Sequence, residues 1–312
     1  MVNKALNMKR IIFIIISCFV FGTLAFAQEQ KVIDKEFEKF TTVKVQDNFV
    51  VKLMKSDRYA VKINVDERIA SHVQAYEKNG TLYLILDEKG YTKELKKELK
   101  QKGAVLPVLE ALVYMPQVNS LIFSDNASVV YSDELSSEDF TLTASDNVKI
   151  KQLKVACATA DMDVLRSAEV SLDMKVDSCL VLTTENSAKV SMTQNGGTVL
   201  LEAKGNSKLN AKVSVQSVEV VASSGSESNI SGTADMMKVN ATGLSRTNTE
   251  SLDVHEGQIT QNGTSKCYVN VSDKMTVNLT GGSLLTYKST PVIEVERIIN
   301  STLIKFDDPK RK

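Results

Sequence analysis

The chain has 312 residues, with 38 basic and 38 acidic side chains and a formal net charge of 0. That balance excludes the strongly basic face that a nucleic-acid partner requires. Trp is absent and aromatic residues make up only 6% of the chain, which argues against a sugar-stacking platform.

In chain order, residues 1–27 read as a signal peptide. Lys4, Lys9 and Arg10 form a basic start, Ile11 to Phe26 is apolar, and Ala25-Phe26-Ala27 supplies the small-x-small cleavage pattern. Cleavage is expected before Gln28. The apolar run is short for a membrane span, and Gln28-Glu29-Gln30-Lys31 follows at once. The mature protein is therefore expected in the periplasm, at the cell surface or outside the cell, and not as an integral membrane protein. A second reading takes Ile15-Ile16-Ser17-Cys18 as a loose lipobox with a lipid anchor on Cys18, although Phe19 to Phe26 stays apolar where a lipoprotein turns polar.

Residues 28–118 are expected to form a β-rich cap. Val43 and Val45 alternate, as do Phe49, Val51 and Leu53, and then Tyr59, Val61, Ile63 and Val65. Ile69, Val73 and Tyr76 have helical spacing and predict a short helix. Asn79-Gly80 signals a hairpin, and Leu82, Leu84 and Leu86 a further strand. Near 91–102 the sequence Lys93-Glu94-Leu95-Lys96-Lys97-Glu98-Leu99-Lys100 predicts a charged helical insert. Glu94–Lys97 and Glu98–Lys102 are its expected ion pairs, and Tyr91, Leu95 and Leu99 its narrow apolar stripe. Strand resumes over Val105 to Met115.

Residues 119–307 repeat about every twenty residues. Ser124-Asp125-Asn126-Ala127 returns as Ser145-Asp146-Asn147-Val148, and Ser167-Ala168-Glu169-Val170 as Ser187-Ala188-Lys189-Val190. Asn206-Ser207-Lys208-Leu209 and Ser228-Asn229-Ile230 continue the series, pairing Val190 with Leu209 and Leu209 with Ile230. Ser245, Ser265 and Ser283 carry it on. Between turns the residues alternate with period two: Val181 with Thr183, Val199 with Leu201, Val218 with Val220, Val277 with Leu279, Ile293 with Val295. A strand repeat of this length cannot bury its own apolar face, so neighbours must stack. The expected fold is all-β, a single-stranded parallel β-helix of about nine coils. It would be right-handed, because hexapeptide repeats are missing, and ~40 Å long at the ordinary strand spacing. Residues 308–312 form a basic tail.

The segment from Tyr114-Met115-Pro116 through Ser120-Leu121-Ile122-Phe123-Ser124-Asp125-Asn126-Ala127, with Phe40-Thr41-Thr42-Val43-Lys44-Val45 and Leu82-Tyr83-Leu84 before it, resembles a known family of secreted domain-of-unknown-function proteins. That family is named the "putative autotransporter adhesin head GIN domain". The resemblance covers roughly Phe40 to Ile304. It implies an exported parallel β-helix from a Gram-negative bacterium and brings no catalytic residues with it. The insert at Asp87 to Lys102 is longer than the family leads one to expect.

Reactive chemistry is sparse. Asp125 and Asp146, with Glu185, are candidate stacked carboxylates. Asp161 and Asp163 share a strand face behind them. Beside Asn126, Asn147 and Asn186 the first group also reads as turn chemistry, because Asn and Asp tolerate left-handed backbone angles. His72, in the expected short helix, and His255, in a turn, are the only histidines. No hydrolase, zinc-protease or phosphate-loop motif occurs, so no cofactor or metal is expected. Cys157, Cys179 and Cys267 remain after signal cleavage. Cys157 and Cys179 could meet in adjacent coils, but all three are expected as small interior fillers. Two function classes follow: a non-enzymatic adhesin-like or structural binding module, with a cell-surface glycan or envelope protein as partner, or a polysaccharide lyase or hydrolase using Asp125, Asp146, Asp161 and Asp163.

Overall fold

The computed structural model describes residues 29–306. The expected signal peptide, Cys18 and the tail at 308–312 lie outside the described residues. The chain is a parallel β-solenoid. Its strands are β1 (Gln30–Glu36), β2 (Thr42–Val45), β3 (Val50–Lys55), β4 (Ala60–Asp66), β5 (Val73–Lys78), β6 (Thr81–Leu86), β7 (Leu109–Met115), β8 (Ser120–Phe123), β9 (Ser128–Ser132), β10 (Glu134–Ser136) and β11 (Asp139–Ala144). There follow β12 (Lys149–Arg166), β13 (Glu169–Asn186), β14 (Lys189–Asn195), β15 (Thr198–Ala203), β16 (Lys208–Ala222), β17 (Glu227–Ala241), β18 (Arg246–Gln261), β19 (Lys266–Thr280), β20 (Leu284–Tyr287), β21 (Val292–Ile299) and β22 (Thr302–Lys305). The helices are α1 (Glu67–Ala70) and α2 (Lys93–Leu99). Among the described residues no helix is long and apolar enough to cross a membrane.

Each coil has one leg before a tight corner and one leg after it, and each leg lies parallel on its equivalent in the next coil. Alternation decides which residues face in. Leu182 stacks on Leu201 and Leu201 on Val220, while Val190 stacks on Leu209, and all of these are buried. The expected pairing of Leu209 with Ile230 is corrected: Leu209 meets Ser228, and Ile230 lies on Ala211. The coil keeps the 19-residue spacing of the one before it, but a buried serine, Ser228, fills the inward position, so counting from apolar to apolar residue skips it and misses the register. Val181 is corrected as well. It faces outward between the buried Leu180 and Leu182.

The stack runs through residue 119 without a break, and its order is not the chain order. β2 lies between β6 and β8, and β3 between β7 and β9. The chain thus enters one coil below the end, builds the end coil from β6 and β7, and then steps back to β8. Beyond that coil the pairing turns antiparallel. β4 lies on β7, β1 on β4, and β5 on β6. Apolar strand edges invite association, and β1 blunts its edge with Lys31, Asp34, Lys35 and Glu36.

The helical insert takes the place of the corner in the end coil, since it joins the pre-corner leg β6 to the post-corner leg β7. Thr92 caps α2 by accepting from the Leu95 backbone N–H. Leu95 and Leu99 pack on the core, and Tyr91 is buried. The expected Glu98–Lys102 pair is not formed. The helix ends at Leu99, and Glu98 instead meets Arg68 at 2.6 Å, while Arg68 also grips the buried Asp66 at 2.6 Å. This places Arg68 between the cap of α1 and the insert. The expected helix over Ile69 to Tyr76 stops at Ala70. Val73 and Tyr76 lie on β5, because the Asn79-Gly80 hairpin (φ 53° and 75°) pairs that segment with β6. β7 begins at Leu109, so Val105 and Leu106 precede the strand.

The interior is graded. The largest buried rings, Phe40, Phe49, Phe123 and Phe140, lie toward the antiparallel end. At the inner corner, Ala127, Val148, Ala168 and Ala188 give way to Ser207, Ser226, Ser245, Ser265 and Ser283, all buried. The hydroxyls of Ser207, Ser226, Ser245 and Ser283 have no hydrogen-bond partner among the described residues.

Two stability measurements test this packing. Leu209→Ala leaves a cavity between Val190 and Ser228 and is expected to cost ~2–5 kcal/mol. Lys208→Ala, on the exposed side, should stay within ~0.5 kcal/mol in the same urea unfolding experiment. Equal effects would contradict the register. Ser226→Ala, which copies Ala188 two coils away, removes an unpaired buried hydroxyl. It should be neutral or stabilising by up to ~1 kcal/mol, and a loss above that size would mean the hydroxyl has an unseen partner.

Candidate functional site

The corner column carries the candidate carboxylates. Asp47, Asp125, Asp146, Arg166, Asn186, Gly205, Ser224, Gly243, Gly263, Gly281 and Asn300 stack one per coil, with φ between 50° and 78°. This is the left-handed region, which Gly, Asn and Asp enter most easily. At Gly205 the space is also closed, because a Cβ there would come 2.9 Å from the Asn186 Cα. The backbone closes each corner upward: Asn147 N–H donates to the Asp125 carbonyl at 2.7 Å and Ser187 N–H to the Arg166 carbonyl at 2.8 Å. Asn side chains climb the same way, with Asn147 Nδ2 donating to Asn126 Oδ1 at 3.1 Å and Asn229 Nδ2 to Asn210 Oδ1 at 3.0 Å.

Each carboxylate in the column has local employment. Ser124 Oγ donates to Asp125 Oδ2 and Ser145 Oγ to Asp146 Oδ2, both at 2.9 Å. Arg166 Nη1 donates to Asp146 Oδ1 at 2.6 Å, and this guanidinium holds the Asp146 carboxyl below its usual range. One coil outward, burial followed by the Asp125 charge raises the Asp47 carboxyl. Glu185 does not join this column; it stacks on Leu165, one position before the corner.

Asp161 and Asp163 lie on the outward face of the pre-corner leg of β12, exposed, beside Val181 and Thr183 of the next coil. Desolvation and then Asp161 raise the Asp163 carboxyl, with Lys204 opposing and Glu185 and Glu202 adding to the rise. Asp125 and Asp146 sit at the corner and Asp161 and Asp163 on the leg, so the four do not share one pocket. His72 follows α1 rather than lying in it, and packs edge-on against Tyr91 with ring centroids 4.9 Å apart. His255 lies within β18 rather than in a turn, 3.4 Å from the exposed Asp273 carboxylate. Among the described residues no group of three His, Cys, Asp or Glu side chains has the arrangement to hold a metal ion.

The three described cysteines, Cys157, Cys179 and Cys267, are free. Cys157 and Cys267 are interior, and burial pushes their thiols up to about 11 and about 12. Cys179 corrects the expectation of three fillers. It aligns with Thr159 instead of Cys157 and faces outward on the pre-corner face. There it borders a shallow groove of about 570 Å³ that runs across several coils past Leu200, the exposed Met236, Lys238, Glu256 and Lys274. Ion pairs flank it: Lys238–Glu219 at 2.9 Å and Lys274–Glu294 at 2.8 Å. Sequence reasoning passed over this groove. Its only signal was apolar residues at outward positions, visible once the register is known. A second concavity of about 530 Å³ lies under the insert, lined by Ile69, Leu86, Tyr91, Leu99 and Leu109 with Lys96 and Lys100 at its edge.

These placements give a pH test. The Asp163 carboxyl is raised in the fold, so its ionised form disfavours folding at neutral pH, and that cost fades as pH falls through the raised folded value and is gone below the unfolded one. Asp163→Asn is therefore expected to raise the unfolding midpoint at pH 7 and to lose that advantage near pH 3. Asp146 is opposite in sign: its stabilisation is present above its unfolded value and disappears as pH drops through the lowered folded value. Because the Arg166 pair is largely exposed, Asp146→Asn should cost no more than ~1 kcal/mol at pH 7. Circular-dichroism melts from pH 3 to pH 7 check both signs.

A family model described as "Putative auto-transporter adhesin, head GIN domain" matches residues 39–181 and again 165–291. Among solved structures, the chain is similar to that of a "putative adhesin" from Parabacteroides merdae, with 16% identity, a TM-score of 0.49, and coverage of 90% of this chain and 98% of that one. A "putative adhesin" from Parabacteroides distasonis gives 15% identity and a TM-score of 0.47 at the same coverage. A "putative lipid binding protein" from Parabacteroides distasonis gives 13% and 0.43, again at that coverage. Among curated proteins nothing matches the chain. The two overlapping matches span the corner-and-leg repeat from the first coil to the start of the last, and the chain belongs to the "Putative auto-transporter adhesin, head GIN domain" family.

Proposed function

We propose that this protein is an exported, non-enzymatic binding module of the cell envelope that presents its pre-corner face to a surface partner, a glycan or an envelope protein. The observation that carries this reading is the groove bordered by Cys179 and Met236. It is a place where the polar outward face carries the exposed Met236 beside the half-buried Cys179 and Leu200, between ion pairs. A rigid sheet holds these groups without further ordering, so a partner meets a preorganised surface. Apolar residues ringed by charge are also the usual anatomy of a protein-binding patch. Family membership supports the adhesin-like class. The antiparallel strands β1, β4 and β5 serve in this reading as the cap that leaves the lateral faces free.

The rival reading, a polysaccharide lyase or hydrolase using Asp125, Asp146, Asp161 and Asp163, gains no support from a column in which Asp125 and Asp146 serve the corner.

The test is binding of the purified chain to bacterial and host cells, to glycan arrays and to outer-membrane extracts. Met236→Lys is expected to weaken binding by roughly tenfold or more. Absence of binding in every class, or binding indifferent to Met236→Lys, would reject this surface. New reducing ends or unsaturated product from acidic polysaccharides, lost in Asp146→Asn, would favour the enzyme.

A further inference from the structure

The last described coil contrasts with the rest of the stack. Val295 lies on Val277 and Ile298 on Leu279, and both lower residues are fully buried. Val295 is 53% and Ile298 39% exposed, with Val292, Ile299 and Ile304 exposed nearby. β21 pairs with β19 along one edge, and among the described residues no strand register is formed along its other edge. A strand with apolar inward residues and an open ladder is a template for another strand.

We propose that a second copy of this chain covers this coil, with β21 of each copy pairing antiparallel across a two-fold axis. The opposite end of the stack is closed by antiparallel strands with a charged edge, so head-to-tail stacking lacks a matching surface. A two-fold contact instead uses one surface twice and stops at two copies.

Charge and register select the alignment. β21 carries one extra residue, with Val295 on Val277 and Arg297 on Asn278, so Glu296 bulges. The extra residue puts Ile293, Val295 and Ile298 on the inward face and Val292, Glu294, Arg297 and Ile299 on the outward one. A two-fold axis perpendicular to the sheet requires that opposed residues share a face. Centred between Val295 and Glu296, it sets Glu294 against Arg297 of the other copy, twice. It also sets Val292 against Ile299 and Ile293 against Ile298. Arg297 has no ion pair within the described chain, whereas Glu294 already holds Lys274 at 2.8 Å. Without the bulge, Glu294 and Arg297 would fall on opposite faces and could not pair this way.

The experiment is analytical ultracentrifugation of the chain from Gln28 onward across micromolar concentrations. The expected mass is twice that of one chain. Arg297→Glu sets like charges together and is expected to weaken dimerisation roughly tenfold or more, with its urea midpoint unchanged at concentrations where both proteins are monomeric, because Arg297 is exposed. Glu294→Arg should do the same, and the double exchange should restore the dimer. Val295→Lys should abolish it. A monomer at every concentration overturns the proposal, as does a dimer indifferent to Arg297→Glu and Val295→Lys, or a double exchange that fails to restore pairing. A dimer formed only after deletion of residues 307–312 would show that the tail covers the coil, and would overturn it equally.

Discussion

A backbone that rises by one strand spacing per coil must reverse through the same geometry each time, and here it does so through one left-handed residue per corner. For a residue with a side chain that conformation costs about 1–2 kcal/mol, so most coils meet it with Gly, Asn or Asp. Arg166 and Ser224 accept the strain, and Arg166 uses its position to reach Asp146 of the neighbouring coil. The corner also decides how the carboxylates are read. Asp125 and Asp146 are where a corner needs them, bonded to the preceding serine and, for Asp146, to the next coil.

Stacking answers the burial of each leg but creates the problem of the ends. At one end the chain departs from sequential winding. It enters below the end, builds the outermost coil second, and lays antiparallel strands over it. The charged insert closes the coil whose corner is missing, and Arg68 links it to Asp66. The interior follows the same direction, with phenylalanines near this end and serines and threonines further along. The last coil shows the reverse condition, with residues equivalent to buried Val277 and Leu279 left in the open.

For a protein built this way, function belongs to faces rather than to a cleft. The legs present long rows of outward residues, joined coil to coil by exposed pairs such as Lys189–Glu169. Each of these contributes little, but together they set the charge pattern a partner meets. The groove beside Cys179 is a place where that pattern gives way to apolar contact.

The amino-acid sequence by itself determined the repeat, the strand period and the corner residues, because period two and a demand for positive φ both leave a mark at single positions. Pairs such as Val190 with Leu209 were legible for that reason. It could not determine the register where a polar residue takes an inward position, which is why Leu209 meets Ser228 and not Ile230. It also left open which of two neighbouring apolar residues turns outward, as with Val181 and Cys179. Local spacing favoured a helix through Val73 and Tyr76, and pairing with β6 overrode it, since a hairpin satisfies a whole row of backbone groups that a short helix leaves at its ends. The position of β2 between β6 and β8, and with it the end that stays covered and the end that stays open, was decided only by the tertiary structure. Strand pairing across long sequence separations is chosen by the burial of complete faces, and no single segment carries a record of that choice.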